Sequence, residues 1–216
     1  EKFYVKGVTY GTFTPDENGV NYPPAEIVDE DFAMMAAYGF NAVRTYTIPP
    51  AYLVELAAKH GLYLMIGIPW EQHIAFLDVP ELSIDIIKRV RDAVAKYKGN
   101  PAILCYTIGN EIPASIVRWH GKVKIERFLK QLYEATKAAD PNRLITYVNY
   151  PTTEYLNLDF LDFISFNVYL ETPEKLQSYL SKLQNIAGDK PLVLAEIGID
   201  SSSHGALNQA NFLKWQ

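Results

Sequence analysis

Apolar runs of strand length alternate with amphipathic stretches of helix length along almost the whole chain, at about thirty residues per repeat. That rhythm constrains the fold more than any single residue. Strand-like runs occupy Phe3–Tyr10, Phe40–Tyr46, Leu62–Ile68, Pro101–Glu111, Arg143–Val148, Asp162–Leu170 and Pro191–Glu196. Between them the spacing predicts helices over Ala25–Tyr38, with Ile27, Phe32 and Met35 inward, and from Pro49 through His60. Further helices are expected over Ser83–Lys98, burying Ile84, Ile87, Val94 and Tyr97, and over Val123–Ala139, with Ile125, Phe128, Leu129, Leu132 and Thr136 on one face. Pro173–Ala187 and a start at Ala206 complete the series. Alternation of this kind implies a parallel sheet flanked by helices.

Two architectures satisfy such a pattern. A doubly wound sheet ordinarily carries a glycine-rich phosphate loop after its first strand, and neither G-x-G-x-x-G nor a Walker A pattern occurs here. The expected fold is therefore an α/β barrel of the TIM (β/α)8 type, one domain over residues 1–216. Seven strands are visible, whereas a closed barrel needs eight and about 250 residues. The expectation is a barrel lacking its eighth strand, in a chain cut short at its C-terminus and trimmed before Glu1. A long loop, Gly11–Pro24, containing Asn18-Gly19, follows the first strand, and loops of that length are commonly functional or mobile.

Bulk properties remove several function classes. Half the residues are apolar (49%) and 21% are charged, an ordinary globular composition. A net charge of −5 with no cluster of lysine and arginine argues against nucleic acid or an anionic membrane as partner. No run of about 18 apolar residues exists to insert into a bilayer. Cys105 is the only cysteine, so it can form no internal disulfide; it is expected to be a small buried hydrophobe, and it leaves the compartment open. Four scattered histidines without metal-ligand spacing imply no metal site, and the absence of G-x-S-x-G argues against a serine hydrolase.

The chemistry is expected at the strand ends. In a barrel of this type the C-terminal rim carries the active site. The fourth strand ends in Gly109, Asn110 and Glu111, and the seventh ends in Glu196. Two glutamates at the ends of two buried strands suggest paired carboxyls, the constellation that hydrolyses glycosidic bonds. Side chains alternate along a strand, so an inward Glu111 would share its face with Gly109, Thr107 and Cys105, with Ile108, Tyr106 and Leu104 facing the helices. In the sixth strand Phe163, Ser165, Asn167 and Tyr169 would share the inner face. Trp70 and His73 leave the third strand at the rim and are candidate sugar-binding residues. Trp119 and His120 are weaker candidates for a substrate wall, His204 could approach the site from beyond the seventh strand, and Tyr10, Phe13 and Tyr22 could serve either as a platform or as loop packing.

Four segments, in order, resemble a known superfamily. Gly39-Phe-Asn-Ala-Val-Arg44, Ile108-Gly-Asn-Glu111, Asp162-Phe-Ile-Ser-Phe-Asn-Val-Tyr169 and Leu194-Ala-Glu196-Ile-Gly198 resemble the second-, fourth-, sixth- and seventh-strand motifs of the clan A glycoside hydrolases. The likeness is strongest to the catalytic barrel of family 2 glycosidases. The resemblance implies a retaining β-glycosidase that uses no cofactor and acts on an oligosaccharide or glycan. It implies Glu111 as acid/base and Glu196 as nucleophile, Asn110 on the sugar hydroxyl beside the anomeric carbon, Tyr169 hydrogen-bonded to the nucleophile and Arg44 beneath it. An arginine there would hold Glu196 ionised. The clan's aromatic platform comes from an eighth strand, which this chain lacks. The alternative is a non-catalytic glycan-binding or transglycosylating domain of a larger glycan-assembly polypeptide.

Overall fold

The computed structural model describes residues 2–17 and 19–216, so Glu1 and Asn18 lie outside the described residues. Seven parallel strands form one sheet in chain order: β1 (Gly7–Thr9), β2 (Ala42–Thr45), β3 (Tyr63–Gly67), β4 (Ile103–Asn110), β5 (Leu144–Asn149), β6 (Ile164–Asn167) and β7 (Leu192–Glu196). Each pairs with the next. Among the described residues no ladder returns from β7 to β1, so the α/β barrel is nearly closed. The helices are α1 (Ala25–Ala37), α2 (Ala51–Lys59), α3 (Pro80–Ala95), α4 (Ala114–His120), α5 (Lys122–Ala139), α6 (Pro173–Ala187), α7 (Ser201–His204) and α8 (Ala206–Trp215).

Periodicity explains why the helices lie where they do. α5 buries Ile125, Phe128, Leu129, Leu132 and Thr136, the stripe read from the sequence. Each of its large apolar side chains contributes about 1.5–3 kcal/mol by leaving water. α3 and α6 begin with Pro80 and Pro173, whose fixed φ suits the first turn and whose missing N–H costs nothing there. Two phases differ from expectation. α3 starts at Pro80 and buries Ile86, Val90 and Val94, which leaves Ile84 68% exposed. α1 buries Val28 and Phe32, which turns Ile27 outward. Two helices, α4 and the short α7, were not foreseen; α4 begins at Ala114, just past Glu111.

The core divides into two layers. Leu64, Ile66, Tyr106, Ile108, Ile145 and Tyr147 pack outward against the helices. Met65, Cys105, Val148 and Phe163 fill the barrel interior, with Leu104, Val193 and Ala195 against them. Cys105 is fully buried, as expected of a small hydrophobe. The long loop after β1 is anchored by its aromatics: Tyr10 and Tyr22 are buried, donating to Asp31 and to the Thr47 carbonyl. Their role is packing, and they offer no free platform.

Gly67, the last residue of β3, marks the closest approach beside the site. A Cβ there would lie 2.7 Å from the carbonyl oxygens of both Thr45 and Tyr46. The end of β3 sits this close to the end of β2 only because the side chain is a hydrogen. Gly67→Ala is expected to lower stability by about 2 kcal/mol or more, read from the urea unfolding midpoint; an unchanged midpoint would contradict the close approach.

Candidate active site

The site lies where β2, β4, β6 and β7 end, and strict alternation would not build it. The β4–β5 ladder pairs Thr107 with Thr146 and next Asn110 with Val148, so β4 takes three steps against two. This is a β-bulge, a device that re-aims side chains. Ile108 packs in the helix layer. A Cβ on Gly109 would point the same way, 3.2 Å from the Tyr147 ring and 3.3 Å from Trp70. Two successive residues thus face outward, and Asn110 comes round to the mouth. The expectation that Gly109 shares the face of Glu111 is corrected by that extra residue. Leu104 is corrected in the same way: a slip between Leu64 and Met65 turns it toward the interior.

β7 repeats the device. Phe166 pairs with Leu194 and Asn167 with Glu196, two steps on β7 against one on β6. Leu192 and Leu194 pack against the α6 layer, and Val193 and Ala195 face the interior. Period two would have sent Glu196 outward with the leucines. The extra residue sends it to the mouth. β6 needs no such correction: Ile164, Phe166 and Val168 pack outward, while Phe163, Asn167 and Tyr169 face inward.

Around Glu196 the donors converge. The Arg44 guanidinium pairs with Oε1, and the Tyr46 hydroxyl donates to the same oxygen at 2.9 Å. The Tyr169 hydroxyl donates to Oε2. Arg44 also donates to Asn110 Oδ1 at 2.8 Å. Asn167 Nδ2 donates to Asn110 Oδ1 at 3.3 Å and to Glu111 Oε1 at 2.8 Å. One unbroken chain of contacts therefore runs Glu196–Arg44–Asn110–Asn167–Glu111. Glu111 stands at φ 51°, a left-handed conformation uncommon for a residue with a side chain. Its N–H is held by the Val148 carbonyl at 2.9 Å. Backbone of this kind persists where the surroundings over-determine it, and it concentrates at functional sites.

The two glutamates meet different fields. Burial pushes the Glu196 carboxyl up, but hydrogen bonds from Arg44 and Tyr169, the Arg44 charge and Tyr46 outweigh it and hold the group below the usual carboxylate range. Burial and the neighbouring Glu196 raise the Tyr46 phenol to about 12 and the Tyr169 phenol further, so both remain donors. Among the described residues Glu111 has no cation against it. Among the described residues neither Arg118 nor Lys122 forms an ion pair with Glu111, and Lys122 lies 3.6 Å from Glu126. The same residues contain no group of three or more His, Cys, Asp or Glu placed to hold a metal ion.

Of the residues marked from the sequence, Arg44, Asn110, Glu111, Asn167, Tyr169 and Glu196 come together. Trp70 does not offer its face to the mouth. It is buried, donates its indole N–H to the Ile108 carbonyl at 2.8 Å and packs edge-on against Phe76, so it supports the β4 bulge from behind. His73 is exposed on the loop after β3 and joins none of the site's hydrogen bonds. Trp119 is exposed with its N–H on Asp78, His120 is buried beside Phe76, and His204 sits on α7 next to Asp200.

Two residues escaped sequence reasoning. Tyr46 had a signal, since it lies two positions beyond Arg44 and so on the same face. Gln72 had none. Its side chain accepts from the Asn110 N–H at 3.0 Å and donates to the Asn110 carbonyl, standing in for a strand neighbour where β3 has ended.

A family model described as "Glycosyl hydrolases family 2, TIM barrel domain" matches residues 2–214. Among curated relatives, the β-glucuronidase of Felis catus is 24% identical over 200 residues, covering 85% of this chain and 29% of that protein. The β-glucuronidase of Rattus norvegicus is 26% identical over 199 residues, covering 86% and 29%. The chain thus spans under a third of the length of these relatives. A solved β-glucuronidase from Bacteroides uniformis superposes with a TM-score of 0.80 at 16% identity, covering 98% of this chain and 28% of that one. The unliganded β-glucuronidase of Ruminococcus gnavus gives 0.80 at 17%, covering 99% and 40%. At such identity these structures are alike in fold.

Replacing the cation tests the electrostatics. Arg44→Met would leave the Glu196 carboxylate, whose side chain is 14% exposed, without its counter-ion. A loss of about 3–5 kcal/mol is expected at pH 7. Because the folded-state pKa of Glu196 is depressed, its contribution is present above the unfolded carboxylate value and is lost as pH falls through the folded value. The variant's deficit should therefore shrink on acidification, in urea unfolding compared at pH 7 and pH 4. A deficit that grew in acid would contradict the pairing.

Proposed function

This chain belongs to the glycosyl hydrolase family 2 TIM barrel domain, a retaining glycosidase family, and on that premise we propose that it forms one catalytic barrel domain cleaving β-glycosidic bonds by double displacement. Glu196 is the nucleophile and Glu111 the general acid/base. The observation that carries this reading is the chain of contacts Glu196–Arg44–Asn110–Asn167–Glu111, which joins an ionised carboxylate to a second carboxyl with no cation of its own.

In the first displacement a Glu196 oxygen forms a bond to the anomeric carbon while the bond to the leaving oxygen breaks. Glu111 delivers its proton to that oxygen. In the second, Glu111, now a carboxylate, takes a proton from water, whose oxygen attacks the anomeric carbon and releases Glu196. Two inversions leave the configuration retained. The reaction draws on these two carboxyls and needs no cofactor.

Orphaned polar groups suit a sugar at the mouth. Asn167 Oδ1 is buried without a partner, and an unpaired buried acceptor is costly unless a ligand hydroxyl reaches it. Asn110 Oδ1 is occupied by Arg44 and Asn167, which leaves its amide N–H groups for the hydroxyl beside the anomeric carbon. The relatives are named β-glucuronidases, so an aryl β-D-glucuronide is the first probe for this chain, ahead of neutral aryl β-glycosides.

Glu196→Gln is expected to abolish turnover of p-nitrophenyl β-glycosides. Glu111→Gln is expected to cost about 10²–10⁴-fold, most for poor leaving groups that need the proton and least for activated ones. Steady-state kinetics across a leaving-group series measures both. Full activity in either variant would overturn the assignment.

A further inference from the structure

The two oxygens of Glu196 are not equivalent. Oε1 takes both the Arg44 guanidinium and the Tyr46 hydroxyl, at 2.9 Å for the latter. Both donors come from the end of β2 and brace one another, with the Arg44 guanidinium carbon 4.7 Å from the centre of the Tyr46 ring. Among the described residues Oε2 takes only the Tyr169 hydroxyl, from a side chain that is 55% exposed just past β6. One oxygen is thus pinned by two packed donors, and the other is held by one donor on an exposed side chain.

A nucleophilic carboxylate must give an electron pair from one oxygen to the anomeric carbon, and the lone pairs of Oε1 are already engaged by the Arg44 and Tyr46 donors. We infer that Tyr46 is a positioning residue of the proposed displacement: with Arg44 it fixes Oε1 as the spectator and so assigns the attack to Oε2. The inference rests on the glycosidase reading. As Oε2 bonds to carbon and the leaving oxygen departs with the Glu111 proton, the carboxylate becomes an ester. Oε1 becomes its carbonyl oxygen and still accepts from Arg44 and Tyr46, while Tyr169 is released to follow the sugar. The second displacement returns the electron pair to Oε2 and the charge to the carboxylate.

The groups facing Glu196 are Arg44 and Tyr46 from the end of β2 and Tyr169 from β6, with Glu111 beyond Asn110 and Asn167. Removing only the Tyr46 hydroxyl keeps its ring against Arg44. In the full chain, Tyr46→Phe is expected to move the carbon-13 NMR titration midpoint of the Glu196 carboxyl upward. The acid limb of the pH–rate profile should shift with it. For an aryl β-glycoside kcat should fall about 10–100-fold, the worth of a hydrogen bond to a charged group, with KM within about twofold. Should the phenylalanine variant fail to fold, 3,5-difluorotyrosine at position 46, a stronger donor, should move the midpoint downward. An unmoved midpoint overturns the role of Tyr46 whatever the turnover, whereas absence of turnover in the parent chain overturns the glycosidase reading. A glycosyl-enzyme trapped with a 2-fluoro glycoside decides the oxygen: an ester through the one facing Tyr169 supports the inference, and one through the oxygen facing Arg44 overturns it.

Discussion

The Arg44–Glu196 pair is the interaction on which the mouth of this barrel depends. Its partners are 152 residues apart and come from β2 and β7, near opposite ends of the strand order. No ladder among the described residues joins β7 to β1, so the contact spans the interval that strand pairing leaves unjoined. Stability alone would not select it. Burying two charges costs several kcal/mol per ion, and well-packed apolar residues are often as stable or more so. Here the cost is offset at the carboxylate, which takes Arg44, Tyr46 and Tyr169; the guanidinium also reaches Asn110, and its Nε alone is without a partner among the described residues. Such an expensive arrangement is more readily explained by chemistry than by the fold.

Backbone register carries equal weight. Both segments that deliver the proposed catalytic groups hold one residue more than their neighbours, β4 near Ile108-Gly109 and β7 near Ala195. Without the extra residue in β7, Glu196 would lie with Leu192 and Leu194 in the apolar layer under α6, where an ionised carboxylate could not persist. Without the one in β4, Asn110 would lose Arg44 and Asn167. The bulge in β4 is stabilised from three sides: Gly109 makes room for Tyr147 and Trp70, Trp70 holds the Ile108 carbonyl, and Gln72 replaces the missing strand at Asn110. Trp70, read from the sequence as a sugar-binding residue, thus acts on the site through the backbone.

What the sequence made legible follows from which forces are local. Hydrophobic period marked every strand and the face of α5, because burial of an amphipathic stretch is decided within a few turns. It misjudged Ile27 and Ile84, where the start of the helix sets the phase and apolar residues crowd both choices. The glutamates and the inner face of Asn167 and Tyr169 were legible because barrel geometry brings strand ends to one rim, whereas the roles of Arg44, Asn110 and Tyr169 came from the resemblance to the clan A motifs. The route by which Glu196 reaches that rim was not, because a bulge is a relation between two strands and leaves no mark on either alone. Gln72 was hidden for the same reason. Its partner is a backbone amide exposed only by the bulge.

The opposite tasks proposed for two identical side chains match an unequal share of donors. Glu196 receives a cation and two phenols, while Glu111 receives one amide. Asn110 and Asn167 stand between them as neutral spacers that carry contact without carrying charge. A lysine or arginine at either position would deliver a second cation toward Glu111 and so work against the proton-donor role proposed for it. Among the described residues the buried side-chain atoms without a partner include Asn167 Oδ1 on this neutral stretch and Arg44 Nε behind the cation, with others at Thr45, Tyr106, Ser165 and Gln216, and none falls on Glu196. The Glu196 carboxylate is thereby fully partnered, while Asn167 Oδ1 is open to a hydroxyl of the proposed substrate. That is the distribution expected of a mouth in which the charge is preorganised and the polar vacancy is left for substrate.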